Sequence, residues 1–88
     1  MATYIVTSIN FSNDSVASTQ TGTLEYKLWS ASNDDYILVN ASVSVNTDGT
    51  LVSPQNITGL VSGETYNVKF SNNCSSPASY WVTTIIAP

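Results

Sequence analysis

Apolar and polar residues alternate at every second position in short runs along this chain, and no run of helical period survives. Successive side chains of a strand point to opposite faces, so a period of two specifies half-buried strands. The runs are Tyr4 to Phe11, Thr23 to Trp29, Tyr36 to Val45, Ile57 to Leu60, Thr65 to Ser71 and Tyr80 to Ile86. They are rich in β-branched and aromatic residues, which suit a pleated surface. The first run puts Ile5, Ile9 and Phe11 on one face. In the second, Leu24, Tyr26 and Leu28 point one way, and Thr23, Glu25, Lys27 and Trp29 the other. The third aligns Ile37, Val39, Ala41, Val43 and Val45. The fifth sends Tyr66, Val68 and Phe70 inward and Asn67 and Lys69 outward. The last run is apolar or aromatic on both faces.

Turn signals separate the runs. Asn13 to Gly22 is a long polar loop, and Ser30 to Asp35 is another with Asn33-Asp34-Asp35 at its tip. Asp48-Gly49 reads as a tight hairpin turn, because Gly accepts positive φ. Ser62-Gly63 is a further turn, and Asn72 to Ala78 is a loop closed by Pro77. There is no repeat and no linker, so residues 1–88 form one domain. Short strands with frequent turns predict an antiparallel β-sandwich of six to seven strands.

Composition narrows the function classes. Only 9% of residues are charged, with six acids against two lysines and no Arg or His. Neutralising phosphates takes Lys and Arg in number, so nucleic acid is not an expected partner. Without His the usual general base and commonest metal ligand are missing. A single Cys allows neither an internal disulfide nor a Cys-cluster zinc site. Ser, Thr and Asn make up 34 of 88 residues, yet 42% hydrophobic content with five Tyr and two Trp argues for a folded chain rather than a disordered one. No stretch approaches the roughly 20 apolar residues of a membrane span. Met1-Ala2-Thr3-Tyr4 shows no basic or apolar leader, so synthesis in the cytoplasm is expected. Five Asn-x-Ser/Thr triplets are read as a result of composition rather than as glycosylation sites.

The most specific segment is Leu60-Val61-Ser62-Gly63-Glu64-Thr65-Tyr66-Asn67-Val68. Leu60, Gly63 and Tyr66 have the spacing of a tyrosine corner, in which the hydroxyl ties back to the preceding connection and the ring caps the core. Here the chain resembles the fibronectin type III family, within the wider immunoglobulin-like sandwiches. The match to that family's Leu-x-Pro-Gly-Thr-x-Tyr signature is carried by Leu60, Gly63, Tyr66, Val68 and Phe70, with Ser62 and Glu64 departing from it. Leu24-Glu25-Tyr26-Lys27-Leu28 is similar to the family's third strand. The resemblance spans roughly Gly22 to Ile86. Tyr4 to Phe11 aligns with the second family strand but lacks its usual Trp, and nothing upstream supplies the first. Either a sheet edge is then open, inviting strand addition, or the first strand bends to serve both sheets.

Chemical constellations are sparse. Asp34-Asp35 with Asp14 is read as solvated turns rather than a calcium site, which needs six to eight oxygens. No paired carboxylates suit glycoside hydrolysis. Cys74 has no nearby cation to activate it and reads as a small filler. No catalytic residue, metal or cofactor is expected, so the reading is a non-enzyme. Tyr4, Val6, Trp29 and Trp81 form a candidate interface, since Trp and Tyr bury much area at low entropic cost. One Trp reads equally as core. The polar loops at Ser12–Gly22, Ser30–Asp35 and Ser71–Ala78 would then face outward. By analogy, the resemblance implies an accessory protein of a bacteriophage virion, docked on capsid or tail proteins. A homo-oligomer and contact with a surface glycan are further expectations. The rival expectation is a cell-surface or secreted adhesion or carbohydrate-binding module.

Overall fold

The computed structural model describes residues 1–32, 34–73 and 79–88. Six strands follow one another: β1 (Ala2–Ser8), β2 (Gln20–Leu28), β3 (Ile37–Val45), β4 (Thr50–Leu60), β5 (Thr65–Asn72) and β6 (Tyr80–Ile86). All pairings are antiparallel, in the order β1-β4-β3-β2-β5-β6. The sheet curls, so that residues from both ends of this order share one core.

Alternation builds that core. The pairings of β5 with β2 and with β6 run without a register break. Leu24 and Trp81 flank Phe70, while Leu28 and Ile85 flank Tyr66. Inward-facing Leu24, Phe70, Val68 and Trp81 meet Val6, Leu51, Ile57 and Leu60 from β1 and β4. Phe70 and Leu24 are fully buried. Burying a side chain of this size stabilises a fold by about 1.5–3 kcal/mol.

The strand alternation breaks where the ladders break. In β1, Val6 is buried and Ile5 is 56% exposed, the reverse of the expected phase. Between Val6 and Ser8 the partner jumps from Gln55 to Thr50, and this irregularity resets the alternation. Ile9 and Phe11 therefore reach the core from beyond the strand end. Along β3, Val43 and Val45 are buried, but Ile37 and Ala41 are exposed. Two one-residue register shifts against β2 reverse the phase at Ala41, where Asn40 takes the place opposite Leu24, and restore it at Ile37, opposite Tyr26. The Oδ1 of Asn40 accepts the Ser42 N–H at 2.9 Å across the first of them.

β4 is longer than the Ile57–Leu60 piece legible as apolar. It pairs with β3 at Val45↔Leu51, and with β1 at Thr50 and again from Gln55 to Leu60. Pro54 lies in the irregular stretch of the β1 ladder between Thr50 and Gln55, where no N–H is needed. Among the described residues β1 pairs only with β4, so β4 and not β1 is the shared strand. The Asn46 to Gly49 connection is a turn in which Gly49, at φ 92°, donates to Asn46 O at 2.9 Å. The Asp48 carboxylate accepts the Thr50 N–H at 2.9 Å, which holds its pKa below the usual carboxylate value. That contribution is present above the unfolded-state pKa and is lost as pH falls through the depressed folded one.

Asn33, the Cys74 filler and the closure of the loop by Pro77 lie outside the described residues. Gly22 is buried where β2 crosses β5, and a methyl group on it would overlap the Ser71 carbonyl. Gly22→Ala is expected to cost about 2–4 kcal/mol, in the range of a forced backbone shift. A urea unfolding midpoint unchanged from the parent chain would contradict that contact.

Candidate docking face

The side of β2, β5 and β6 turned away from the core carries successive cross-strand rows. Extending the β2–β5 ladder, the Trp29 N–H donates to Thr65 O at 2.9 Å, and Thr65 pairs with Ile86. The next rows are Lys27, Asn67 and Thr84, then Glu25, Lys69 and Val82, then Thr23, Ser71 and Tyr80. Trp29 is 62% exposed, Ile86 65%, Tyr80 65% and Val82 41%. Large apolar groups therefore lie at both ends of this face. The signal was present in the sequence, because Tyr80 to Ile86 is apolar on both faces and only one of them can enter the core.

Lys27, read as an outward residue, is instead 4% exposed. Its Nζ donates to the carbonyls of Leu28 at 3.3 Å, Trp29 at 3.3 Å and Ala31 at 2.9 Å. A buried ammonium needs such acceptors, and the carbonyls of a strand end provide them. The turn that follows, closed by Ala31 N–H to Leu28 O at 3.0 Å, is thereby fixed from below. Lys27 thus sets the backbone that presents Trp29.

A second feature of the face is a shallow groove lined by Tyr36, Lys69, Tyr80 and Val82. The Lys69 ammonium lies 4.7 Å from the Tyr36 ring centre and 5.1 Å from that of Tyr80. Cations favour the negative faces of aromatic rings, so this places the lysine between them. Glu25 stands directly across the ladder from Lys69. Burial first, then the Glu25 carboxylate and Tyr80, push the Tyr36 hydroxyl above its ordinary pKa. Stability is accordingly lost as pH rises past the unfolded value, where the native state resists ionising. Tyr36, Lys69 and Tyr80 were not singled out from sequence, since strand positions far apart in the chain give no sign that they meet.

The four residues expected to form an interface do not come together. Val6 and Trp81 are core residues at 2% and 9% exposure, and offer a partner no surface. Tyr4 is half-buried against the core. Trp29 alone is exposed. Trp81 stacks at 6.1 Å on Phe70 and meets Phe11 edge-on at 4.7 Å. Its Nε1–H donates to Asp14 Oδ2 at 2.7 Å, which satisfies the indole and ties the polar loop to β6. In the corner segment Leu60 is buried, Gly63 has φ 85° and the Tyr66 hydroxyl accepts the Val61 N–H at 3.0 Å. The same loop is tied to the chain beyond β6 by Gly63 N–H to Ala87 O at 3.0 Å and Ala87 N–H to Glu64 O at 2.9 Å. Among the described residues, no three His, Cys, Asp or Glu side chains gather as metal ligands would.

Compared with known protein families, curated proteins and solved structures, the chain finds no match.

Replacing Lys27 by Met keeps the buried stem and removes the three charge-assisted bonds. The expected loss is about 2–3 kcal/mol by urea unfolding, since hydrogen bonds to charged groups are the stronger kind. A Lys27→Met chain as stable as the parent would mean that the ammonium holds nothing in place.

Proposed function

We propose that the chain is a non-enzymatic structural and interaction module of the fibronectin type III kind, lacking the first family strand. Its setting on this reading is a bacteriophage virion, where it docks on capsid or tail proteins as an accessory. The strand pairing supports the type. The β1–β4 pair and the β3-β2-β5-β6 set fit the two sheets of such a sandwich, with the Tyr66 tie at the expected corner. The observation that carries the function is the exposed apolar row of Trp29 and Ile86 at one end of this face.

On this reading the mechanism is docking by area. Trp29 and Ile86 seat against a repeated protein surface, and repetition multiplies individually weak contacts through effective concentration. A net charge of −4 keeps free copies apart before they dock. Particles purified from the native source on a density gradient should carry the chain in stoichiometric amount, detected by mass spectrometry. The Trp29→Ala chain should be depleted from them several-fold. Finding the protein only outside the particle fractions would overturn the reading.

The groove favours one alternative, a carbohydrate-binding module. Two aromatic rings can stack on the apolar faces of a pyranose, while Lys69 and Glu25 offer a donor and an acceptor to its hydroxyls. Isothermal titration with neutral hexose oligosaccharides separates the two readings. Binding weakened at least tenfold by Tyr80→Ala would favour the glycan. Lack of heat across the series would leave protein docking as the function.

A further inference from the structure

β6 ends the sheet, and among the described residues β5 is its only partner. Asn72 N–H donates to Ser79 O at 3.0 Å, and Ala87 N–H and O bond Glu64 and Gly63. Odd-numbered residues of β6 therefore turn their backbone groups toward β5. Alternation sends the N–H and C=O of Tyr80, Val82, Thr84 and Ile86 to the open side. These are also the residues whose side chains lie on the outer face.

Protein edges are normally guarded by charge, proline, bulges or cover. The other candidate edges here have such guards. The β1 ladder is broken in two places, and β3 is shifted twice against β2. The gap between β3 and β4 is crossed by Asn40 Nδ2 donating to Gln55 Oε1 at 3.2 Å. β6 lacks the first three of these guards: Tyr80 to Ile86 contains no charge and no Pro, and its ladder runs without a shift, while on its core side the Asn10 N–H donates to Thr83 Oγ1 at 3.4 Å.

We propose that β6 pairs antiparallel with β6 of a second copy of this chain, joining two curled sheets into one across a two-fold axis at Thr83. A second copy is the occupant because the edge is complementary to itself. With Thr83 opposite Thr83, Tyr80 faces Ile86 of the second copy and Val82 faces its Thr84. Even residues then meet even residues, so every backbone group on the open side finds a partner. Registers centred on Val82 or Thr84 leave some of them unpaired. The outer-face pairs are aromatic with β-branched and β-branched with β-branched, the combinations that stabilise neighbouring strands. No like charges oppose each other along the strand, so the net charge of −4 on each copy acts only at a distance. Association should therefore strengthen with salt. The contact is isologous and closes as a dimer rather than growing into a fibre.

The purified chain alone tests this, independently of any particle or glycan. Sedimentation velocity across the micromolar to millimolar range should show a reversible monomer–dimer equilibrium, shifted toward dimer by added salt. Val82→Pro removes an N–H that points to the open side, a position where an edge strand tolerates proline. It should weaken the dimer at least tenfold while leaving the far-UV circular dichroism unchanged. Val82→Lys reads the same edge should the proline variant fail to fold. Ile5→Lys, on the opposite edge, should leave the dimer intact. A chain that stays monomeric throughout would overturn the proposal. So would a dimer indifferent to both Val82 variants, or one abolished by Ile5→Lys.

Discussion

Trp81 is the contact on which the rest of the molecule depends. It is packed between Phe70 of β5 and Phe11 beyond β1, and its indole nitrogen holds Asp14. One side chain thereby joins the regular half of the sheet, the chain leaving β1 and the polar loop leading to β2. Aromatic pairs of this kind add about 0.5–1.5 kcal/mol beyond the area they bury. Because Trp81 turns inward, Tyr80 and Val82 must turn outward. The core choice on β6 thus dictates what the outer face displays.

The consequences run along the cross-strand rows. Leu28, Tyr66 and Ile85 line up beneath the face, so Trp29, Thr65 and Ile86 line up upon it. Lys27 spends its charge inside, on three carbonyls, and does not decorate the surface. Of the two lysines in the chain, one therefore fixes a turn and the other sits between two tyrosines. The outer face is left with little cationic charge free.

Much of this was legible in the sequence where a strand keeps perfect alternation. The inward sets of β2 and β5 follow directly from Leu24, Tyr26, Leu28, Tyr66, Val68 and Phe70. The alternation failed at β1 and β3 because register shifts change the phase, and a shift leaves no periodic trace. The early part of β4 was hidden for a similar reason: Ser53, Pro54 and Gln55 interrupt the apolar pattern where its ladder with β1 is irregular. Val6 was placed on the surface by a phase error, and Trp81 was left open between core and surface because both faces of its strand are apolar. The tie at Tyr66 was legible from spacing alone, since a turn glycine and a buried Leu fix the geometry locally. The Tyr36, Lys69 and Tyr80 groove depends on strand neighbours distant in sequence, and no local pattern encodes it.

The pairing of β1 with β4 has a consequence for the order of events in folding. β2 pairs with the strand that directly follows it, and β5 with β6, so these hairpins can form as soon as they are made. β1 has no such neighbour: Ala2 pairs with Leu60. β1 must wait, unpaired, until more than half of these 88 residues have followed it. Closing so long a loop is slow relative to zipping a hairpin. Meanwhile Ala2 to Ser8 presents an uncharged β-forming segment to whatever is near. Nascent copies of this protein are thus most open to mispairing at β1, and a crowded polysome is where that exposure matters most.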